Sequence, residues 1–312
     1  MDITVILCTY NRCESLARAL ESVAAQRMPE STIWEVLVVD NNSGDRTPEV
    51  VEQACQQYPG RFCYTFEPKP GKSNALNTGI AQTSSDILAF MDDDVVVQPD
   101  WLQNLTSGLG DAKWAGAGGR ILPAWTSAPP AWLPRRDRYA LAPLAAFDPR
   151  LEAGDLDEPP FGTNMAFRRS MFTKYGGFRT DLGPRPNSEI RNEDTEFGQR
   201  LLNAGERLKY EPLAVVYHSV SPQRLQRSYF MRWWLDKGRA DFREHGFPNA
   251  KWSVFGIPLA ELRRLTMAAL RWIPTIEPSL RFERKLKLCG KFGEILECRR
   301  SPGGHDLQTL RE

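Results

Sequence analysis

The chain has 312 residues, enough for one large core or one core with an appendage. Its net charge of +1 conceals a division, because from Ser221 onward 18 basic residues face 10 acidic ones while before it 22 face 29, which suits the two parts to different partners. No uncharged apolar run reaches the about 18 residues of a transmembrane helix, the N-terminus lacks the basic and apolar segments of a signal peptide, and the six cysteines show neither metal spacing nor a dense disulfide framework, so a reducing cytoplasm is expected.

Ile3 to Leu7 reads as a short apolar strand, Thr9-Tyr10-Asn11-Arg12 as a polar loop, and Leu16, Leu20 and Val23 as the buried stripe of a helix. The unit repeats: a strand over Val36 to Val39, a loop from Asp40 to Asp45, and Pro48 near the start of a second helix. Phe62 to Phe66 is a third strand. Pro68 to Lys72 then breaks the chain before a helix containing Ala75, Leu76 and Ile80, and Asp86 opens a strand that ends on Asp92, Asp93 and Asp94. Strands and helices alternating at this spacing predict an α/β fold with a mostly parallel, doubly wound sheet. Three adjacent carboxylates repel and raise one another's pKa, so a divalent cation is their expected partner, at the strand end where open sheets bind ligands. The alternative is a solvated acidic turn.

Between residues 123 and 160 the alternation stops, and Trp125, Trp132, Tyr139 and Phe147 stand among prolines in a long, partly ordered loop, either packed on the sheet or forming a lid or substrate wall. A strand resumes over Phe161 to Phe167. A helix follows over Asn192 to Asn203, with Asn192 as N-cap and Glu193 and Asp194 in the first turn, where the helix dipole favours carboxylates. Val215 to Tyr217 is another strand, with His218 at its end. Residues 1–220 are thus expected to form one domain and 221–312 a basic, helical extension.

The order of these clusters resembles family two glycosyltransferases of the GT-A fold, a Rossmann-like α/β architecture, over about residues 2 to 240. The resemblance implies that Thr9, Tyr10 and Arg12 in the first loop and Asp40 after the second strand hold the nucleoside of a nucleotide-sugar. An aspartate accepts the ring N–H of uracil and a tyrosine offers a stacking face, which points to a UDP-sugar. Lys72 matches a basic position beside the nucleotide; the alternative is a solvated surface lysine. Asp92 and Asp94 match the family's Asp-x-Asp, with Asp93 between them also on the donor side, and His218 matches a late histidine, so that Asp92, Asp94 and His218 are the expected ligands of Mn²⁺ or Mg²⁺. Asp194 matches the general base, Glu193 its neighbour, and Gly162, Thr163 and Asn164 the turn lining the donor sugar and acceptor. Arg232 and Trp233 match Arg and Trp near the site mouth, although no Gln-x-x-Arg-Trp motif is cleanly present.

The expected activity is inverting, metal-assisted transfer of a sugar to a hydroxyl of a glycan or polyprenyl-linked acceptor. A sugar nucleotidyltransferase is the nearest enzymatic alternative; it would want a glycine-rich loop after the first strand, where Cys8 to Arg12 has none. A catalytically silent sugar-binding protein is the other. Beyond Lys251, tryptophans mixed with Arg263, Arg264 and Arg271 suggest a helix lying peripherally on an anionic membrane surface, or else packed on a protein face. No nucleic-acid module accompanies the charge.

Overall fold

The computed structural model of the protein describes residues 1–133, 141–186, 188, 190–248 and 252–300. Tyr139, Lys251 and everything after residue 300 lie outside these.

Two compact units emerge, the first built from Met1–Ala124, Ala145–Pro186 and Glu193–Ser219. Its sheet starts with the expected repeat: β1 (Asp2–Thr9), α1 (Cys13–Ala24), β2 (Ile33–Asp40), α2 (Thr47–Gln57), β3 (Phe62–Phe66), α3 (Lys72–Gln82) and β4 (Ile87–Asp92). Every residue from Val5 to Leu7 and from Val36 to Val39 is buried, as strands covered on both faces must be. Helix α1 closes one side through Leu16, Ala19, Leu20 and Val23. Five rings, Phe90, Phe167, Phe172, Phe178 and Phe197, pack together elsewhere in the core, with Phe172 and Phe197 stacked at 4.5 Å.

The later strands are β5 (Val95–Val97), β6 (Gly116–Trp125), β7 (Gly154–Asp155), β8 (Asn164–Arg168) and β9 (Leu208–Val220), with the short helices α4 (Trp101–Thr106) and α5 (Arg169–Tyr175) and then α6 (Glu193–Asn203). Among the described residues the sheet runs β3-β2-β1-β4-β8-β6-β9-β5, with β7 on β9. The first four strands pair in parallel, whereas β8 joins β4 antiparallel. Chain order reverses on either side of β1, so β1 and β4 flank a topological switch point, the usual ligand crevice of such sheets.

One expectation needs correction. His218 does not follow its strand but lies inside β9, opposite Val95 of β5. Asn192 directly precedes α6 with φ 80°, and its amide donates to Asp241 at 2.9 Å and Glu244 at 2.6 Å. The long loop after residue 123 is partly ordered: Ile121 bridges Phe147, which is buried against Phe161 and Tyr210.

The second unit comprises the described residues within Trp125–Leu144, Asn187–Asn192 and Val220–Glu312. Its helices are α7 (Arg227–His245), α8 (Leu259–Trp272) and α9 (Pro278–Arg300), and the strands β10 (Ser253–Val254) and β11 (Ile257–Pro258) form a hairpin before α8. Phe230, Trp233, Trp234, Phe282 and Leu286 form its core, and Trp132 meets Phe230 and Phe282 edge-on. Helices α7 and α9 touch backbone to backbone: a Cβ on Gly238 would fall 1.9 Å from the Gly290 carbonyl oxygen. Buried Glu297 of α9 accepts from Arg239 at 2.8 Å and Arg243 at 2.6 Å.

Candidate active site

Parallel register explains how residues far apart in the chain meet. Thr9 lies opposite Asp40, and Cys8 opposite Asp92, so the ends of β1, β2 and β4 form one edge. Because β8 runs the other way, its start at Asn164 sits against Met91 and brings Thr163 to Asp92.

Each aspartate of the triplet has a different set of partners. Asp92 accepts from Lys72 Nζ at 2.6 Å and from Thr163 Oγ1 at 2.8 Å. Asp93, nearly buried, accepts from Thr9 Oγ1 at 2.8 Å and Arg12 Nη1 at 2.9 Å. Asp94 accepts from the same Arg12 nitrogen at 3.1 Å, and its Oδ1 lies 3.4 Å from His218 Nε2. The repulsion inherent in three adjacent carboxylates is therefore met in part by the protein's own cations.

Burial raises the Asp93 carboxyl to about 6 even with Arg12 opposing it. Burial is the largest influence on Asp92 and would raise it, but the Lys72 charge together with the hydrogen bonds from Lys72 and Thr163 holds that carboxyl below the usual range. Lys72 lies 3.6 Å from Glu193 as well. Burial works against its charge, yet Asp92, Glu193 and Asp194 together keep its pKa raised. Glu193 is pushed up to about 7, first by burial and then by the charge of Asp194.

Asp194 opens the first turn of α6 and is half-buried. Its Oδ2 accepts the Gly162 N–H at 2.5 Å and its Oδ1 the Thr195 N–H at 2.8 Å. Gly162 permits this approach because a Cβ there would stand 2.9 Å from Asp194 Oδ2. Asp92, Lys72, Thr163, Glu193, Asp194 and Gly162 thus form one connected group.

At the loops after β1 and β2, Asp40 is buried and takes hydrogen bonds from the Ser43 N–H at 2.9 Å and the Tyr64 hydroxyl at 2.9 Å. Tyr10 is exposed, as a stacking face requires. Sequence reasoning missed Tyr64, whose phenol is raised to about 12 by burial and by Asp40. It missed Asn41 too, which accepts the Gly71 N–H at 2.7 Å and donates to the Lys69 carbonyl at 2.8 Å, fixing the turn that delivers Lys72. Tyr64 pairs with Val38, two places before Asp40 on its strand, and Asn41 simply follows Asp40 in the chain.

Asn164, Arg232 and Trp233 are not part of this connected group among the described residues. Asn164 is wholly buried: it accepts from Trp101 Nε1 at 2.8 Å and donates to the carbonyls of Arg120 and Ala214, clamping strands rather than lining a sugar. Trp233 is buried in the second unit against Trp234 and the Arg191 guanidinium, and Arg232 beside it is exposed. The metal trio is not assembled either. Asp94 and His218 meet, but Lys72 and Thr163 engage Asp92, and among the described residues no group of three or more His, Cys, Asp or Glu is arranged to hold a metal ion.

A sequence model of the family described as Glycosyl transferase family 2 matches residues 4–176. Similar curated proteins include the glucosyl-dolichyl phosphate glucuronosyltransferase of Haloferax volcanii, 26% identical over 232 residues that make up 72% of each chain. The succinoglycan biosynthesis protein ExoM of Rhizobium meliloti is 28% identical over 240 residues, 77% of this chain and 72% of its own. Among solved structures, the mannosyltransferase PcManGT from Pyrobaculum calidifontis, in complex with GDP-Man and Mn²⁺, superposes with a TM-score of 0.57 at 21% identity, covering 99% of this chain and 78% of that one.

Proposed function

The chain belongs to glycosyl transferase family 2, and from that premise we propose that it moves a hexosyl or N-acetylhexosaminyl group, with inversion, from a nucleotide-diphospho-sugar to a hydroxyl of a glycan or lipid-linked acceptor. The observation that carries this reading is the connected group at the switch point, where a cation, a hydroxyl and three carboxylates converge within hydrogen-bond or ion-pair reach. A UDP-sugar is the donor favoured by Asp40 and Tyr10.

In the proposed reaction the acceptor oxygen bonds to the anomeric carbon as the bond from that carbon to the diphosphate oxygen breaks on the opposite face. The acceptor proton passes to Asp194, held in place by the Gly162 and Thr195 N–H groups. A positioned carboxylate contributes about 10²–10⁴-fold to such a step. Lys72 is the cation nearest to hand for the departing diphosphate, and the Arg12 loop encloses the nucleoside side. A carboxylate oxygen and an imidazole nitrogen 3.4 Å apart fit a divalent metal, so Asp94 and His218 would hold Mn²⁺ or Mg²⁺. When bound, that ion supplies charge neutralisation to the diphosphate.

The lipid-linked acceptor draws support from the name of the Haloferax relative, while the GDP-Man of the solved mannosyltransferase makes the base a matter for experiment. Incubation with UDP-, GDP- and dTDP-sugars, with and without Mn²⁺, and assay of the released nucleoside diphosphate tests the proposal. UDP release that needs metal and acceptor is expected. Release of pyrophosphate from a nucleoside triphosphate and a sugar phosphate would instead mark a nucleotidyltransferase, and binding without turnover a silent sugar-binding protein.

A further inference from the structure

The second unit holds a pocket of about 380 Å³ that the transfer reaction does not use. Three cations, Arg227, Arg281 and Lys285, line it together with Trp272, Ile276 and Phe282. Arg281 and Lys285 lie 5.7 and 5.9 Å from the Trp272 ring, and Arg227 lies 5.6 Å from Phe282. None of the three has an ion pair with a carboxylate among the described residues. Aromatic faces offset part of the charge, but an anion would satisfy it far better.

The neighbouring helix supplies the second observation. In α8 only Glu261 is buried, whereas Leu259, Met267 and Leu270, with Ile273 just past its end, recur at helical spacing and are all exposed. Three residues farther along the chain, Ile276 is 91% exposed and itself a wall of the pocket. The chain thus leads from the exposed apolar residues directly into the cationic pocket. A protein partner would cover the leucines but has no need of three unpaired cations around an indole. An anionic bilayer meets both demands at one boundary, phosphate at the headgroup level and hydrocarbon beneath it. No described helix is long and apolar enough to cross a membrane, so the contact would be peripheral.

We propose that this face of the second unit docks on an anionic phospholipid bilayer, the pocket taking a lipid phosphate while Leu270, Ile273 and Ile276 enter the acyl boundary. The docking is independent of which donor the enzyme uses, and its test needs no turnover.

Flotation of the full chain with vesicles of phosphatidylcholine alone and of phosphatidylcholine mixed with phosphatidylglycerol reads the contact directly. Binding only to the mixed vesicles is expected, released by salt. Each cation near an anionic surface is worth about fivefold, so R227Q/R281Q/K285Q should lower the vesicle partition coefficient about a hundredfold. L270S/I273S/I276S should lower it as well, with circular dichroism, melting and donor turnover on a soluble acceptor retained in both variants. Wild-type protein that stays off the mixed vesicles at low salt overturns the proposal, as does undiminished binding by a well-folded cation variant. If light scattering finds a dimer that the serine variant dissociates while vesicle binding persists, the face belongs to a second copy and the proposal is again overturned.

Discussion

Arg12 Nη1 bridges Asp93 and Asp94, and Lys72 joins Asp92 to Glu193, so the carboxylates rest against internal cations. Replacing Asp94 by alanine should abolish transfer and most Mn²⁺-dependent binding of UDP, with His218→Ala giving a milder loss; calorimetry with unchanged metal-dependent affinity would remove both from the metal site. Asp194→Asn keeps the shape but takes no proton, so near-normal donor binding and a drop of about 10²–10⁴-fold in kcat are expected. Lys72→Met strips the counter-charge from Asp92. Breaking a fully buried pair costs about 3–5 kcal/mol, and with the two side chains 24% and 22% exposed a loss of about 2–3 kcal/mol in urea unfolding is expected, partly restored by adding Asp92→Asn. Glu193 gives a pH signature in chelator-treated protein. Its pKa is raised in the fold to about 7, so its contribution to stability is complete below its ordinary 4.5 and lost as pH rises through about 7. Glu193→Gln should flatten that part of the stability curve; an unchanged slope would show that another group titrates there.

At the level of elements, the close crossing of α7 and α9 rests on Gly238, because a side chain there meets the Gly290 carbonyl. Gly238→Val should separate the helices and destabilise the second unit by about 1–3 kcal/mol or more, seen as faster proteolysis between residues 227 and 300. The sequence showed β1 to β4 clearly, since each is an apolar run closed by a polar loop. It did not show β5, three valines directly behind a triplet that reads as a turn, nor β6, whose Gly116-Ala117-Gly118-Gly119 start carries no β-branched signal. His218 was legible as a residue of interest yet misplaced, because β9 goes on past the apolar Val215 and Val216 in an alternating pattern of burial. The site followed the same logic. Residues at strand ends, such as Asp40, Asp92 and Thr163, were readable from local pattern, while Tyr64 depends on cross-strand register and Asn41 on its bonds to the distant Lys69–Gly71 turn. Asn164 looked like part of a ligand-lining turn, and only its partners in three other segments reveal a clamp.

For the molecule as a whole, the charge division seen in the sequence persists as a division of roles, with an acidic-rich sheet unit holding the proposed donor site and a basic helical unit holding the cationic pocket. Donor and Mn²⁺ together at a hundredfold over Kd should add about 2.7 kcal/mol to the stability of the sheet unit, and a thermal shift that persists in Asp94→Ala would argue against a shared site. Strand position then sets an order of local opening. Asp92 ends a strand with neighbours on both sides, whereas Asp94 leads into β5, which among the described residues pairs with β9 alone, at the outer end of the sheet. Amide exchange at Val95 to Val97 should accordingly outpace that at Leu7, Val38 and Met91. Below the global melting temperature, the Asp94–His218 half of the edge would fray while the frame around Asp40 and Asp92 stays closed, so warming should silence the proposed metal site before the proposed nucleoside site.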